Sequence, residues 1–301
     1  MKAWPRARYT GVDVLINIDS KAARPPWLRA PAPVGENYAN LKALVSDLKL
    51  HTVCESAACP NIGDCWNRRT ATFMILGNVC TRRCGFCAVQ KGAPLPVDYD
   101  EPRRVAEAVA ALQLKFAVIT SVNRDDRKDG GAELFALVIH AIRSRVPGCG
   151  IEVLVPDFQG SHAAMDIVMN AKPDVLNHNT ETVPRLYRQV RLGARYERSL
   201  DMLAYAKSTQ PAIPVKSGLM LGLGETIDEV LSVMRDLRDH KVDVLTLGQY
   251  LRPSPKHLPI IRYVTINEFQ DLKRAGYEMG FAHVESGPLV RSSYHAADHV
   301  A

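Results

Sequence analysis

The chain has 301 residues, of which 47% are hydrophobic and 23% charged, and its formal net charge is +6 at pH 7. This size allows one large buried core, and the mixed charges argue against long disordered stretches. No apolar run is long enough to span a bilayer, and the first residues lack the order of a secretory signal. We therefore predict a cytoplasmic protein with no membrane partner.

The first 70 residues are predicted to form an arm and an extension. Residues 1–35 are rich in Pro, Arg and Ala, and the stretch RPPWLRAPAP disfavours regular structure. We predict an extended arm here, packed on the body through Trp27. Apolar residues at helical spacing then predict a helix over residues 36–49. This helix begins an extension, residues 36–70, that contains the first cysteines.

Beyond residue 70, short apolar runs alternate with amphipathic helical segments. Apolar strands separated by helices indicate a parallel sheet covered by helices. We predict an α/β fold: a partial (β/α)6 barrel of the TIM type over residues 71–282, with catalytic groups at the carboxyl ends of its strands. A tail, residues 283–301, is predicted to close over the barrel. A doubly wound open sheet is the alternative. The predicted strands are TFMIL, FAVITS, IEVLVP, DVLNHN, VKSGLML and VLTLGQ.

One charged residue falls inside a predicted strand. Lys216 belongs to VKSGLML. If its side chain points into the barrel, it needs an acidic neighbour, because an unpaired buried charge is very costly.

Six of the seven cysteines form two groups of three. A reducing compartment disfavours a disulfide framework, and thiolates select zinc or iron–sulfur clusters. Three sulfurs around a 4Fe–4S cluster leave one iron open to a substrate or cofactor. From the residues alone, zinc remains possible at both groups, with His51 completing the first, and a ferredoxin-like electron carrier also remains possible. The groups are Cys54, Cys59 and Cys65, spaced C-x4-C-x5-C, and Cys80, Cys84 and Cys87, spaced C-x3-C-x2-C.

The second group lies after the first predicted strand, and Phe86 precedes its third cysteine. This arrangement resembles the signature of radical S-adenosylmethionine enzymes. The resemblance implies a 4Fe–4S cluster whose open iron binds the amino and carboxylate groups of S-adenosylmethionine. One electron then cleaves the C–S bond, which gives methionine and a 5′-deoxyadenosyl radical.

The chain also contains the motifs C-x4-C-x5-C, TATFMILGNVCTRRCGFC, PDVLNHNTETVPRLY, YERSL, LGLGET, GQYLRPS and GPLVRSSYHA. These motifs narrow the resemblance to the lipoyl synthase family, from about Pro25 to the C-terminus. The family implies that the Cys54 group holds an auxiliary 4Fe–4S cluster whose fourth ligand is a serine of RSSY. We take Ser293 rather than Ser292, by alignment with the family motif. A hard oxygen ligand on a soft cluster should yield first, which suits a cluster that gives up sulfur.

The resemblance also implies that the strand ends hold S-adenosylmethionine. The predicted contacts are Phe86, Thr120, Asn123, Asn179, Glu181, Arg195, Arg198 and Gln249.

The activity implied is a sulfurtransferase reaction. Two sulfur atoms from the auxiliary cluster are inserted at C6 and C8 of an octanoyl group linked to a lysine of a lipoyl carrier domain. Such domains belong to 2-oxo-acid dehydrogenase complexes and the glycine cleavage H protein, and ferredoxin or flavodoxin would supply electrons.

Three alternatives remain from the sequence. One is a sulfur-inserting enzyme of the biotin synthase kind, with a 2Fe–2S cluster as its sulfur source, and another is a two-cluster electron-transfer protein. The third is a zinc-stabilised nucleic-acid binder. Scattered basic residues and few aromatics disfavour this last reading, so no nucleic-acid partner is predicted.

Overall fold

The computed structural model describes residues 25–29, 36–56, 59–68 and 70–299. Most of the predicted arm lies outside the described residues. Within its described part, Leu28 is 4% exposed and Trp27 is 39% exposed. The prediction that Trp27 anchors this segment is therefore wrong. The tight turn Pro26–Leu28 points neighbouring side chains in different directions, and it turns the leucine inward.

The described residues form one large sheet and one small sheet. The large sheet has eight strands, and the small one pairs the third and fourth strands of the chain. The strands are β1 (His51–Thr52), β2 (Thr70–Ile75), β3 (Val79–Cys80), β4 (Gln90–Lys91), β5 (Phe116–Ser121), β6 (Gly150–Leu154), β7 (Val175–Asn177), β8 (Val215–Leu221), β9 (Val244–Gln249) and β10 (His283–Gly287).

The large sheet follows the chain in its strand order, β1-β2-β5-β6-β7-β8-β9-β10. Only β1 pairs antiparallel, and every other neighbouring pair is parallel. The predicted α/β fold with a parallel sheet is confirmed. A doubly wound sheet reverses its strand order at a switch point, and this sheet does not. Among the described residues the sheet is open, with β1 and β10 at its edges.

The six predicted strands all match observed ones, but the sheet contains one more parallel strand than predicted. β10 pairs in register with β9, from His283 opposite Val244 to Gly287 opposite Gly248. Only Val284 is buried in this edge strand, so the strand needs no apolar run, and its sequence HVESG has none. The part of the C-terminal region that lies outside the sheet therefore starts after Gly287.

The helices cover the sheet, and several begin with clear sequence signals. Thr226 and Thr265 each form a capping box with the glutamate three residues later. No helix in the described ranges is long and apolar enough to cross a membrane. The α-helices are α1 (Glu36–Asp47), α2 (Val53–Ser56), α3 (Ile62–Asn67), α4 (Glu101–Ala111), α5 (Ala132–Arg145), α6 (His162–Asn170), α7 (Tyr187–Val190), α8 (Tyr196–Thr209), α9 (Ile227–Asp239) and α10 (Ile266–Glu278).

The C-terminal segment, residues 288–299, folds back across the sheet. Asn61 Nδ2 donates to the Leu289 carbonyl at 2.6 Å, which ties this segment to the N-terminal extension. Further along, Ala296 is buried in an apolar cluster with Phe116, Val118 and Val175. The segment therefore joins the cysteine-rich extension to strands β5 and β7.

A buried ion pair lies within the sheet. Lys216 on β8 is 0% exposed, and its Nζ lies 2.9 Å and 3.0 Å from the two carboxylate oxygens of Glu152 on β6. Asn177 Nδ2 on the strand between them donates to the same carboxylate at 2.7 Å. The expectation that Lys216 needs an acidic neighbour is confirmed.

Lys216→Met should lower the free energy of unfolding by about 3–5 kcal/mol, the usual cost of stranding one charge of a buried pair. The Asn177 amide would stay, but a neutral donor does not neutralise the carboxylate. Denaturant unfolding at equal iron content measures the change. Adding Glu152→Gln removes the second charge and should restore most of the loss. A double variant no more stable than the single one would contradict this account.

Candidate functional site

The loop that contains Cys80, Cys84 and Cys87 is held by segments remote from it in sequence. The Gly85 amide donates to the Val190 carbonyl at 3.0 Å, and the Gly85 carbonyl accepts from the Leu258 amide at 3.1 Å. The His257 ring nitrogen Nε2 lies 3.1 Å from the Cys87 carbonyl. Two distant parts of the chain thus fix the backbone of the loop.

The three thiols of this loop lie close to one another. Burial raises the pKa of Cys84 to about 11, and the thiols of Cys87 and Cys80 add to that rise. Burial also raises the pKa of Cys87. The backbone amide of Asn123 donates to Cys80 Sγ at 3.3 Å. Buried thiols with raised pKa values stay protonated at neutral pH unless a bound cation stabilises the thiolates.

Arg82, inside the loop, connects it to two strand ends. Its guanidinium bonds both Asp125 oxygens, at 2.7 Å and 2.9 Å, and Asp157 Oδ1 at 2.6 Å. Arg198 bonds the other Asp157 oxygen at 3.2 Å. Burial opposes ionisation of Asp157, but the Arg82 hydrogen bond and charge lower its pKa to about 2. The network therefore keeps a charged carboxylate beneath the loop.

Arg82→Gln should lower the free energy of unfolding by about 3 kcal/mol, because it removes a main partner of a fully buried carboxylate. It should also lower the iron retained by the loop, since the loop loses its link to the ends of β5 and β6. Urea unfolding and iron analysis measure the two effects.

Arg103→Gln is the matched control, because Arg103 forms its ion pairs with Asp100 and Glu107 on an exposed helix face. That variant should be nearly as stable as the parent. Equal losses in the two variants would contradict a special role for Arg82.

Two side-chain oxygens without hydrogen-bond partners lie after the ends of β5 and β7. Asn123 Oδ1 and Asn179 Oδ1 are buried and accept no hydrogen bond from any described residue. A Cβ at Gly218 would lie 3.1 Å from Asn179 Oδ1 and only 2.2 Å from Thr246 Oγ1, so only glycine allows these side chains to approach the strand this closely. Two buried acceptors without a donor suit a polar ligand.

Glu181 and Arg191 place opposite charges beside the loop. Glu181 has φ 65°, a left-handed conformation that is uncommon outside glycine. Burial raises its pKa, and the charge of Arg191 opposes that rise. Arg191 is itself buried, and its hydrogen bonds are to three neutral groups, the Thr180 carbonyl and the hydroxyls of Tyr187 and Ser199. Its positive charge is therefore left to act on Glu181 and Cys84.

Sequence reasoning missed Arg191. It singled out Arg195 and Arg198, which follow in the same stretch, RLGARYER. Nothing in this pattern distinguishes the inward arginine, because Arg191 caps the end of α7, Arg195 precedes α8 and Arg198 lies inside it, so no single periodicity relates them.

The other predicted cofactor contacts occupy varied surroundings. Arg195 is exposed at the start of α8, and Arg198 belongs to the Asp157 network. Thr120 donates to the Leu154 carbonyl at 2.9 Å. Both polar atoms of the Gln249 amide bond backbone groups, four in all. Phe86 is half-buried beside Cys87. Ligand contact by these residues stays a prediction.

The second cysteine group also draws its thiols together. Burial raises the pKa of Cys54 to about 11, with a further rise from Cys59. Burial raises the pKa of Cys65 to about 12, and both other thiols contribute. Cys54 lies on α2 and Cys65 on α3, so two short helices present the group.

The C-terminal segment lies against this second group. Burial raises the pKa of Cys59, and the nearby charge of Arg291 partly opposes that rise. Burial also raises the pKa of Tyr294, with contributions from Asp64 and Cys65. Ser292 and Ser293 lie between these two tail residues, so the structure brings both serines to the region of the group.

The donor sets fit the iron–sulfur clusters that the resemblance implies. In the part of the chain that the structure describes, no three His, Cys, Asp or Glu side chains are arranged to hold a single metal ion. A 4Fe–4S cluster asks for something else, since each thiolate binds a different iron. Two groups of three soft thiols match that requirement. The free acceptors of Asn123 and Asn179 near the first group match a polar cofactor.

Comparisons with known proteins agree with this arrangement. The sequence matches the Radical SAM superfamily over residues 74–237. It also matches the N-terminal domain of lipoyl synthase of that family over residues 4–59, so the resemblance begins earlier than predicted.

Curated relatives named lipoyl synthase cover nearly the whole chain. One from Koribacter versatilis is 63% identical over 286 residues, 94% of each chain. One from Rubrobacter xylanophilus is 61% identical over 273 residues, 91% of this chain and 85% of the relative. One from Roseiflexus sp. is 57% identical over 281 residues, 93% of each. With relatives of this kind, the three alternatives drawn from the sequence are not retained.

Solved structures share the fold at low sequence identity. Methylornithine synthase superposes with a TM-score of 0.57 at 13% identity, covering 82% of this chain and 81% of that one. HydG, a maturase of the FeFe-hydrogenase, gives 0.55 at 13% identity, covering 83% and 68%. With the cysteine groups, the open parallel sheet and the sequence relatives taken together, the chain belongs to the lipoyl synthase family of radical S-adenosylmethionine enzymes.

Proposed function

We propose that this protein inserts two sulfur atoms, at C6 and C8, into an octanoyl group linked to a lysine of a lipoyl carrier domain. Family membership establishes a radical S-adenosylmethionine enzyme that transfers sulfur, with two 4Fe–4S clusters. The observation that supports the assignment best is the position of the tail. Arg291 acts electrostatically on Cys59, and Tyr294 interacts with Cys65, which supports a serine ligand supplied by the tail.

Each group of residues has a role in this proposal. Cys80, Cys84 and Cys87 hold the first cluster, and Cys54, Cys59, Cys65 and Ser293 hold the second. When bound, the clusters and S-adenosylmethionine supply radical hydrogen abstraction and sulfur.

Asn123 and Asn179 accept hydrogen bonds from the cofactor through their free Oδ1 atoms. The charge of Arg191 opposes the rise that burial causes in the pKa of Glu181, and the Glu181 carboxylate can bind a positively charged part of the cofactor. Thr120, Phe86, Arg195, Arg198 and Gln249 remain candidate cofactor contacts.

We further infer that the sheet curves into a partial barrel. Strands in sequential order, all linked by crossover helices, favour one concave face. Burial of Ala296 among residues of β5 and β7 supports a tail that fills this face. On this basis the chain has three functional segments, the N-terminal extension, the barrel and the C-terminal tail, and each supplies cluster ligands.

The partners follow from the same reaction. Lipoyl carrier domains are the substrates, and we propose those of 2-oxo-acid dehydrogenase complexes and the glycine cleavage H protein. The electron donor is proposed to be a ferredoxin or a flavodoxin. A reducing, cytoplasmic setting suits six cysteines that must stay free as ligands.

Anaerobic purification tests the function directly. The protein should contain about eight irons per chain, as two 4Fe–4S clusters require, and no zinc. With dithionite, S-adenosylmethionine and an octanoyllysine peptide, it should form 5′-deoxyadenosine and a peptide heavier by two sulfur atoms. Release of 5′-deoxyadenosine without any sulfur-containing peptide would overturn the proposal.

Ser293→Ala should make the second cluster labile and reduce sulfur insertion to a small fraction of the parent rate. The first cluster would remain, so 5′-deoxyadenosine should still form. Iron content and peptide mass measure the two effects. Ser292→Ala is the matched control and should behave as the parent. The reverse pattern would move the ligand assignment to Ser292, and two unaffected variants would remove serine ligation altogether.

A further inference from the structure

The Cys80–Cys87 loop is bordered by positive charge that the proposed chemistry does not use. Three stretches of chain meet at this loop, residues 80–92, 184–193 and 250–263. Together they contain nine Lys and Arg residues and no Asp or Glu, in a chain with 32 acidic residues among 301. These three stretches therefore supply no carboxylate of their own, and the carboxylates that meet the loop, Asp125, Asp157 and Glu181, come from other segments.

Backbone contacts bring the three stretches together. The Gly85 amide and carbonyl bond Val190 and Leu258, as described above. The Gly92 amide donates to the Cys80 carbonyl at 3.0 Å, which brings β4 beside the loop. The positive residues of all three stretches thus belong to segments that meet at the Cys80–Cys87 loop.

Five of the nine cations are already engaged. Arg82 binds Asp125 and Asp157, Arg185 binds Glu229 and Arg262 binds Glu268. Arg191 is buried, and Arg252 donates to backbone carbonyls of residues 255 and 257.

The other four are exposed and form no ion pair with a described residue, and we call them the cationic rim. Free, exposed charges of one sign create a field that attracts an oppositely charged partner. The rim consists of Arg83, Lys91, Arg188 and Lys256.

The rim and the ligand site lie against different parts of the loop. The Cys84 thiol lies near Arg191 and Glu181, beside the strand ends that offer the free asparagine acceptors. The carbonyls of Gly85 and Cys87 instead meet residues 257 and 258, next to Lys256. A protein bound to the rim would come close to the first cluster without filling the cofactor site.

We propose that the cationic rim is the docking site for an acidic electron-carrier protein. This inference rests on the proposed function. The carrier gives up one electron, and the group held by Cys80, Cys84 and Cys87 gains it, with no bond formed or broken. Redox partners form small, transient interfaces, and charge complementarity speeds their encounter. A lipoyl carrier domain must instead deliver its octanoyl chain to the space between both cysteine groups.

The test compares two triple charge reversals. Arg83→Glu, Arg188→Glu and Lys256→Glu together alter the rim. Lys115→Glu, Lys172→Glu and Lys241→Glu make the same charge change at exposed positions before β5, β7 and β9, at the amino ends of the strands. The rate of 5′-deoxyadenosine formation is measured with reduced flavodoxin, an acidic probe, and separately with dithionite.

With flavodoxin, the rim variant should need at least about tenfold more donor for half-maximal rate, since like charges would now oppose the encounter. Its rate with dithionite and an octanoyl peptide should match the parent, and the control variant should match the parent with both reductants. Equal flavodoxin dependence in the rim and control variants would overturn the inference. The inference would also be overturned if the rim variant needed more octanoylated carrier protein, but no more flavodoxin, for half-maximal rate. The rim would then bind the substrate domain instead of the electron carrier.

Salt dependence of the unaltered protein gives a second, independent measurement. The flavodoxin-supported rate at low donor concentration should fall several-fold between about 50 and 300 mM salt, while the dithionite-supported rate stays constant. If the rim variant loses iron, the salt dependence still tests the inference, because it is measured on the unaltered protein. A flavodoxin-supported rate that does not change with salt would contradict the inference. Failure with dithionite in the parent would instead count against the proposed function.

Discussion

Cys84→Ala should reduce 5′-deoxyadenosine formation to background, while the second cluster remains in place. The Cys84 thiol lies close to the thiols of Cys80 and Cys87 and to the charges of Glu181 and Arg191. Two thiolates hold a 4Fe–4S cluster poorly, so the iron content should fall from about eight to about four per chain. Iron analysis and chromatography of the nucleoside product measure both effects.

Cys149→Ala is the matched control for this variant. Cys149 is also buried, but it lies just before β6, where its Sγ contacts the Gly150 carbonyl at 3.4 Å. Its loss should leave iron content and 5′-deoxyadenosine formation unchanged. Product formation by the Cys84 variant at the control's rate would contradict the assignment of the first cluster.

Cys59→Ala should give the opposite phenotype, with 5′-deoxyadenosine still formed and no sulfur-containing peptide. The residue connects α2 to α3 and is influenced by Arg291 of the tail, so its loss opens the second site from the side where the tail lies. The first site is built from other elements and should keep its iron. Electron paramagnetic resonance of the reduced protein should show one cluster signal instead of two.

Peptide mass and nucleoside yield, measured in one reaction, separate the two steps. The Cys59 variant should match the Cys149→Ala control in nucleoside and differ from it only in sulfur transfer. If it made the sulfur-containing peptide at the control's rate, the second group would be structural and the sulfur would come from elsewhere.

The local features of this protein could be predicted from its sequence. The six predicted strands are found because each is a short apolar run, and burial in a central parallel strand requires just such a run. Both cysteine groups are recognisable because their ligands are close in sequence, so that spacing alone brings the thiols near one another.

Features that depend on distant contacts were predicted only in part. The sequence indicated that Lys216 needs an acid, but the acid is Glu152, 64 residues away. Arg82 and Asp157 are 75 residues apart, and no local pattern links them. β10 was missed because an edge strand needs few apolar side chains, so its pairing with β9 leaves little trace in the sequence.

The sequence by itself determined the ligand types, the family and the order of strands and helices, because these depend on residue chemistry and short spacings. Only the tertiary structure decided that Arg191 rather than its neighbours faces the first site, and that a hydrogen bond from Asn61 to the Leu289 carbonyl ties the predicted tail to the extension. It alone gathered nine cations from three stretches around one loop. Such arrangements arise from burial and charge pairing between elements far apart in the chain, and short-range patterns hold no record of them.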